Sequence, residues 1–379
     1  MERFHSPFGE FNLQRWPLRP QENLRAWDAA DELLLQHLAA HEAELLATSP
    51  RVMVINDGFG ALACALAQYQ PVSWSDSSVS HFATQQNLKL NNGDTASLER
   101  LKSTETPCAP VDLVLIKVPK TTALLEDQLI RLRPCLHKDS VIIATGMVKH
   151  LQRSAFQCIE KVIGPLTTSL AKKKARLIFA TLDEALVAPA NPYPSKYTEA
   201  SIGLTLSNHA GVFSRERLDL GARFFLTQFS NLPAAERVID LACGNGVLGI
   251  KYQQQYADAS VCFVDESYMA VASAKENYQA VFPESHSAHF QVGDGLKQCK
   301  DESVDLIVCN PPFHQQHVIG EQIALEMFQD SKRSLVKGGE LWIVANRHLS
   351  YQSKLKHLFG HTRVIAANKK FVVLKMQKR

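Results

Sequence analysis

The sequence lacks closely spaced cysteines. Each of its eight (Cys64, Cys108, Cys135, Cys158, Cys243, Cys262, Cys299 and Cys309) lies at least ten residues from the next, so no CxxC pair for metal or redox chemistry exists. Long apolar runs are missing too. No stretch approaches the roughly 18 uninterrupted apolar residues of a membrane span, and the opening MERFHSPFGE has no apolar core of a secretory leader. An excess of one charge is also absent. Forty-one Lys+Arg against 38 Asp+Glu leave +3, which is too little to draw a polyanion to the whole molecule, so any basic surface must be a local patch. These absences predict a cytoplasmic chain with reduced cysteines, no membrane partner and no disulfide framework.

What the sequence does have is length for more than one domain, and repetition. At roughly 150 residues per domain, 379 residues suggest two or three. VMVINDGFGALACALA (52–67) and VIDLACGNGVLGI (238–250) share one build: apolar strand, Gly-rich turn, small-residue helix. About 20 residues later each half offers a short strand ending in aspartate, VSWSDSS with Asp76 and VCFVDES with Asp265. VDLVLIKVPK (111–120) then parallels VDLIVCNPPF (304–313), and AKKKARLIFA (171–180) parallels ANKKFVVLK (367–375). Four matches in one order predict two copies of one domain. Apolar strands alternating with helical periods predict an α/β fold with mainly parallel sheets. The proline-containing segment ALVAPANPYPSK (185–196) is the expected linker, giving domains 1–190 and 191–379. SIGLTLSN reads as an added hairpin and LDLGARFFLTQF as a helix across the sheet edge. NLRAWDAADELLLQHLAAH (23–41), with Leu24, Trp27, Leu34 and Leu38 near one face, reads as the matching helix of the first copy.

The second copy carries the chemistry. Gly244-Asn245-Gly246-Val247-Leu248-Gly249 is a GxGxxG turn between strand and helix, where the backbone approaches a ligand closely. Asp265, 19 residues after Gly246, stands where a carboxylate can accept both hydroxyls of a ribose. This pair fits NAD or S-adenosylmethionine equally. Asn310-Pro311-Pro312-Phe313, at the end of a buried strand, favours the second. The two prolines hold the backbone extended and turn the Pro311 carbonyl outward. The Asn310 oxygen and that carbonyl then make two acceptors for the hydrogens of a planar amino group, leaving its nitrogen electron-rich as it attacks a methyl sulfonium. Phe313 is placed to stack on the attached base. Hydride transfer has no use for such a device.

These residues resemble the class I S-adenosylmethionine methyltransferases with an NPPF/Y motif. The duplicated build and the run GVFSRERLDLGARFFL resemble, more narrowly, the bacterial ribosomal RNA guanine-N2 methyltransferases. CNPPFHQQH, ELWIVANRHLSYQSKLKHLFG and NKKFVVLK look like the large-subunit members of that family. The resemblance covers essentially the whole chain. It implies two tandem Rossmann-like, seven-strand methyltransferase domains and methylation at N2 of one guanine of 23S rRNA, naked or in a large-subunit assembly precursor, by a monomer without metal. It implies that Asp240, Ala242, Gly244 and Gly246 line the methionine side of the cofactor and that Asp265 holds the ribose. Asp294, where related enzymes often carry asparagine, would meet the adenine edge, and Asn310, Pro311 and Phe313 would hold the guanine. Alternatives are the same chemistry on 16S rRNA or another amine, an NAD-dependent oxidoreductase, or an RNA-binding protein without activity.

The first copy fails the same test. Lys117 falls opposite Asn310, Val118 opposite Pro311 and Lys120 opposite Phe313. A lysine ammonium has no acceptor to offer, so this copy is expected to be silent and to grip RNA. Lys172, Lys173, Lys174 and Arg176 form the densest basic run and are the expected partners of RNA phosphates. Lys375, Lys378 and Arg379 read as a solvated tail, and His314 and His317 as part of a loop over the substrate pocket.

Overall fold

The computed structural model describes residues 3–19, 23–96, 98–284, 287–312, 318–349 and 351–379. The chain divides into two compact units, Met1–Tyr193 and Pro194–Arg379.

The N-terminal unit opens with a hairpin, β1 (Phe4–Ser6) and β2 (Gly9–Phe11), followed by α1 (Ala29–His41) and α2 (Ala43–Ala47). Its sheet is then laid down as β3 (Val52–Ile55), α3 (Ala61–Ala65), β4 (Val72–Ser75), α4 (Ser78–Leu90), β5 (Arg100–Lys102), β6 (Leu113–Lys117), α5 (Thr122–Leu132), β7 (Val141–Met147), α6 (Arg153–Val162), β8 (Leu166–Thr168) and β9 (Ala175–Ala180). The C-terminal unit repeats the plan with a hairpin of β10 (Ser195–Glu199) and β11 (Leu204–Asn208), then α7 (Leu220–Leu226). Its sheet follows as β12 (Arg237–Leu241), α8 (Val247–Gln255), β13 (Ser260–Asp265), α9 (Tyr268–Val281), β14 (Ala288–Val292), β15 (Val304–Cys309), α10 (Val318–Ser334), β16 (Leu335–Asn346), α11 (Tyr351–Phe359), β17 (Arg363–Ala367) and β18 (Phe371–Gln377).

The strand orders coincide: β5-β4-β3-β6-β7-β9-β8 and β14-β13-β12-β15-β16-β18-β17. In each sheet the first five strands are parallel, and the sixth in the order, β9 or β18, pairs antiparallel with both of its neighbours. Helices cover both faces, so the central strands alternate between two apolar cores. Val238, Leu306 and Val308 face one, while Ile239, Leu241, Ile307 and Cys309 face the other. The strand order reverses between β12 and β15, which opens a crevice at their carboxyl ends, the usual ligand position of an open α/β sheet.

Two of the expectations need correction. The first helix starts at Ala29 rather than Asn23, because Asp28 and Asp31 form a capping box there. Leu24, before the cap, is half exposed. Helix α7 packs on β16 and β18 in the interior of the sheet, not across its edge, as α1 packs on β7 and β9.

Candidate functional site

Left-handed backbone shapes the turn between β12 and α8: φ is +56° at Ala242, +55° at Gly244 and +80° at Gly246. At Gly246 a Cβ would lie 2.9 Å from the Ala274 methyl, so glycine is what lets α8 start against α9. At Gly244 a Cβ would meet nothing within 4 Å, which leaves that backbone open to the crevice. Asn277 braces the turn from α9, donating to the carbonyls of Asn245 at 3.0 Å and Ser207 at 2.9 Å.

Asp265, the last residue of β13, is fixed from two sides. Its carboxylate accepts from the Gly244 N–H and from the Ser267 N–H, each at 3.0 Å. Asp240 is fully buried within β12; Oδ2 accepts from the Gly249 N–H at 2.8 Å, whereas Oδ1 has no partner among the described residues. Burial, with the charge of Asp265 adding to it and the Gly249 bond opposing, pushes the Asp240 carboxyl up to about 8. A buried acceptor left over beside an open Gly-rich turn fits a ligand that brings a donor. Asp294 is carried to the same rim, since the Gly293 N–H bonds the Asp265 carbonyl at 2.9 Å, and it is paired with Lys297.

Asn310 follows β15 directly, at the reversal point. Its Nδ2 donates to Asp219 at 3.1 Å, and its Oδ1 is buried with no partner among the described residues. Pro311 is buried beside it. Phe313, His314 and His317 lie outside the described residues. Among those that are described, no group of three or more His, Cys, Asp or Glu is placed to hold a metal. Asp219, the N-cap of α7, went unassigned in the sequence even though the LDLG run containing it stood out. Its signal was an aspartate just before a helix, which by itself means only a cap.

The same positions of the N-terminal unit are closed. Asp57, in the turn after β3, accepts the N–H groups of Gly60, Ala61, Leu62 and Ala63 at 3.0 to 3.1 Å. One carboxylate thus serves the start of α3, whereas at the start of α8 Asn245 meets the Val247 N–H and Asp240 the Gly249 N–H. The Arg15 guanidinium sits 4.4 Å over the Phe59 ring, on the same turn. The residue in the place of Asp265 is Ser75, not Asp76: Ser77 and Ser267 cap the helices that follow, and Ser75 Oγ accepts from Ser77 as Asp265 does from Ser267. Lys117 holds the place of Asn310, because Ile116 pairs with Ile55 as Cys309 pairs with Leu241.

The basic run is a hairpin turn. Lys173 and Lys174 have φ of +49° and +64°, and Lys172 and Ala175 exchange backbone bonds. Lys172 reaches Gln36 and Lys173 reaches Glu32, each at 2.9 Å, while Arg176 is half-buried on β9. At the end of the chain Arg379 is exposed as expected of a solvated tail, but the two lysines are not part of one. Lys375 belongs to β18 and pairs with Glu340, and Lys378 is mostly buried against Glu302 at 3.1 Å.

Comparison with known proteins matches two family models along the chain. The RLMG N-terminal domain matches residues 1–184 and the methyltransferase small domain matches residues 203–375. The chain is 50% identical over 379 residues to the ribosomal RNA large subunit methyltransferase G of Ectopseudomonas mendocina, covering 100% of both. The proteins of the same name from Pseudomonas aeruginosa and Streptomyces griseus are 48% and 47% identical, again over 100% of both chains. Among solved structures, the 16S rRNA N2 methyltransferase RsmC of T. thermophilus, in complex with AdoMet and guanosine, has a TM-score of 0.77. It is 19% identical and the match covers 100% of this chain and 98% of that one, which speaks for a shared fold. With relatives this similar along their whole length, the chain belongs to the ribosomal RNA large subunit methyltransferase G family.

Proposed function

We propose that this chain transfers a methyl group from S-adenosylmethionine to the exocyclic N2 amine of a guanine in 23S rRNA, during assembly of the large ribosomal subunit in the cytoplasm. The observation that carries the reading is Asn310 Oδ1, a buried acceptor at the topological switch point with no partner among the described residues. Asn310 and the Pro311 carbonyl accept the two amino hydrogens of the guanine, holding its lone pair toward the cofactor, and Phe313 stacks on the base. Asp240, Ala242, Gly244 and Gly246 hold the methionine part of the cofactor, Asp265 its ribose and Asp294 its adenine edge. When bound, S-adenosylmethionine supplies an electrophilic methyl group on a sulfonium. The orphaned Asp240 oxygen and the open Gly244 backbone suit that ligand, whose amine brings the missing donor. The amine of the base gives up its proton only after it has gained charge, so no residue of shifted pKa is needed as a base.

The division of labour follows. Residues 191–379 perform the transfer, and residues 1–190, a degenerate copy, hold the RNA backbone through Lys172, Lys173, Lys174 and Arg176. The protein works as a monomer. The test is mass spectrometry of nucleosides from 23S rRNA incubated with the purified protein and S-adenosylmethionine. N2-methylguanosine at one site supports the reading, and a methyl group on another atom or on 16S rRNA alone contradicts it.

A further inference from the structure

Asn310 is held by a side chain to which the proposed chemistry gives no role. Asp219 Oδ2 accepts from Asn310 Nδ2 at 3.1 Å and, as the N-cap of α7, from the Ala222 N–H at 2.9 Å. The cap bond fixes the carboxylate to the start of the helix. A carboxylate offers only acceptors, so the Asn310 amide meets it in one sense alone, with Nδ2 toward Asp219 and Oδ1 left for another donor. The flipped amide would set Oδ1 against Asp219 Oδ2 with no proton between them. Gly221 makes the close approach possible: a Cβ there would lie 2.9 Å from Asp219 Oδ2 and 3.4 Å from Asn310 Oδ1.

The N-terminal unit repeats this arrangement with a different donor. Asp28 is the N-cap of α1, the helix that packs on β7 and β9 as α7 packs on β16 and β18. Lys117, in register with Asn310, donates to Asp28 at 3.0 Å and to Asp31 at 2.6 Å. In both units a helix-cap carboxylate therefore faces the residue at the switch point and takes a hydrogen bond from it. Only where that residue is an asparagine does an acceptor remain on its other side.

We propose that Asp219 is a positioning residue: it orients the Asn310 amide so that Oδ1, and not Nδ2, meets the amino group of the base. This rests on the reading of Asn310 as the acceptor of that amine. A charged acceptor on Nδ2 also polarises the amide toward its oxygen, which strengthens the acceptor that remains.

The experiment uses the full-length protein with S-adenosylmethionine and deproteinised 23S rRNA. Asp219→Ser keeps a hydroxyl oxygen to cap Ala222 but is too short to reach Asn310, so the amide loses the acceptor that orients it. The expected result for Asp219→Ser is a kcat lowered about 10- to 100-fold, less than the loss of a whole polar group at the transition state, with KM for rRNA, cofactor affinity and Tm unchanged. Asp219→Asn, whose one oxygen can take the place of Oδ2 and serve both Ala222 and Asn310, is expected to keep most of the kcat. In an Asn310→Ala background Asp219→Ser is expected to have no further effect, because nothing is left to orient. An unchanged kcat in Asp219→Ser, beside a large loss in Asn310→Ala, would overturn the proposal and leave the role of Asn310 standing. An equal loss in both backgrounds would overturn it too, by showing that Asp219 acts only through the fold of α7. Full activity in Asn310→Ala would remove the acceptor reading and this proposal together.

Discussion

Asp240 Oδ1 and Asn310 Oδ1 are among the side-chain oxygens of the C-terminal unit that are buried without a partner among the described residues. Buried polar atoms are normally hydrogen-bonded, so each weakens the ligand-free fold, and the proposed cofactor and guanine would supply the missing donors. Asp240 gives this a pH signature. Its carboxyl, near 3.8 when unfolded, is pushed up to about 8 when folded. Between those values the folded state binds more protons than the unfolded state, so this group lowers stability as pH rises through that window, by at most ~1.4 kcal/mol per unit. Asp240→Asn retains an oxygen for the Gly249 N–H and removes the titration. In urea unfolding without cofactor, the variant is expected to gain on the parent steadily from pH 5.5 to 8; parallel pH profiles would contradict the assignment. Asn310 was legible in the sequence because Asn-Pro-Pro at a strand end is a local signal. Asp219 was not, because its partner is 91 residues away and its cap role hides the pairing.

At the level of elements, the GxGxxG turn is fixed by packing as much as by the ligand. Within α8, a Cβ on Gly249 would come 2.4 Å from the Phe263 ring and 3.1 Å from the Asp240 Cβ. Gly249→Ala gains about 1 kcal/mol of helix propensity but overpacks α8 against β13, which typically costs about 1–3 kcal/mol. The ring is itself held, stacked 5.1 Å from Phe290, so it cannot yield cheaply. Net destabilisation of up to about 2 kcal/mol is expected as a lower denaturant midpoint at unchanged slope; a stabilised variant would contradict this packing. The alternation of strands and helices followed from hydrophobic period and turn residues, whereas the hairpin Phe4–Phe11 gave no such signal and β10 begins inside the segment that read as a linker. Single-residue registers did not follow either: Asp76 looked like the counterpart of Asp265, yet Ser75 holds that place because the helix cap sets the count. The start of α1 was missed for a related reason. An apolar stripe marks which residues face a core, whereas the capping box decides where the helix begins.

For the whole molecule, one fold is used twice with opposite outcomes. Asp57 and Lys117 close in the first unit what Gly244 and Asn310 leave open in the second. That contrast was legible from the repeat itself, since the two strands ending in Lys117 and Asn310 align without gaps. The proposed RNA-holding role of the first unit rests on its hairpin lysines. Lys173 is paired with Glu32 at an exposed position, where an ion pair holds weakly enough to be exchanged for a phosphate. Replacing Lys172, Lys173 and Lys174 together by alanine is expected to weaken binding to 23S rRNA. The log–log salt dependence should become shallower by about 0.7–0.9 for each phosphate that a lysine no longer neutralises, with cofactor affinity untouched. Filter binding at several salt concentrations measures this, and unchanged slopes would assign the lysines to the hairpin alone.

Everything converges on the acceptor at the end of β15, and the most direct measurement compares the full-length protein with its Asn310→Ala variant. Calorimetry gives the affinity for S-adenosylmethionine, and nucleoside mass spectrometry gives turnover on 23S rRNA under single-turnover conditions. The expected result is nearly intact cofactor affinity with N2-methylguanosine formed about two to three orders of magnitude more slowly. Loss of cofactor binding with unchanged turnover per bound cofactor would contradict the role given to Asn310.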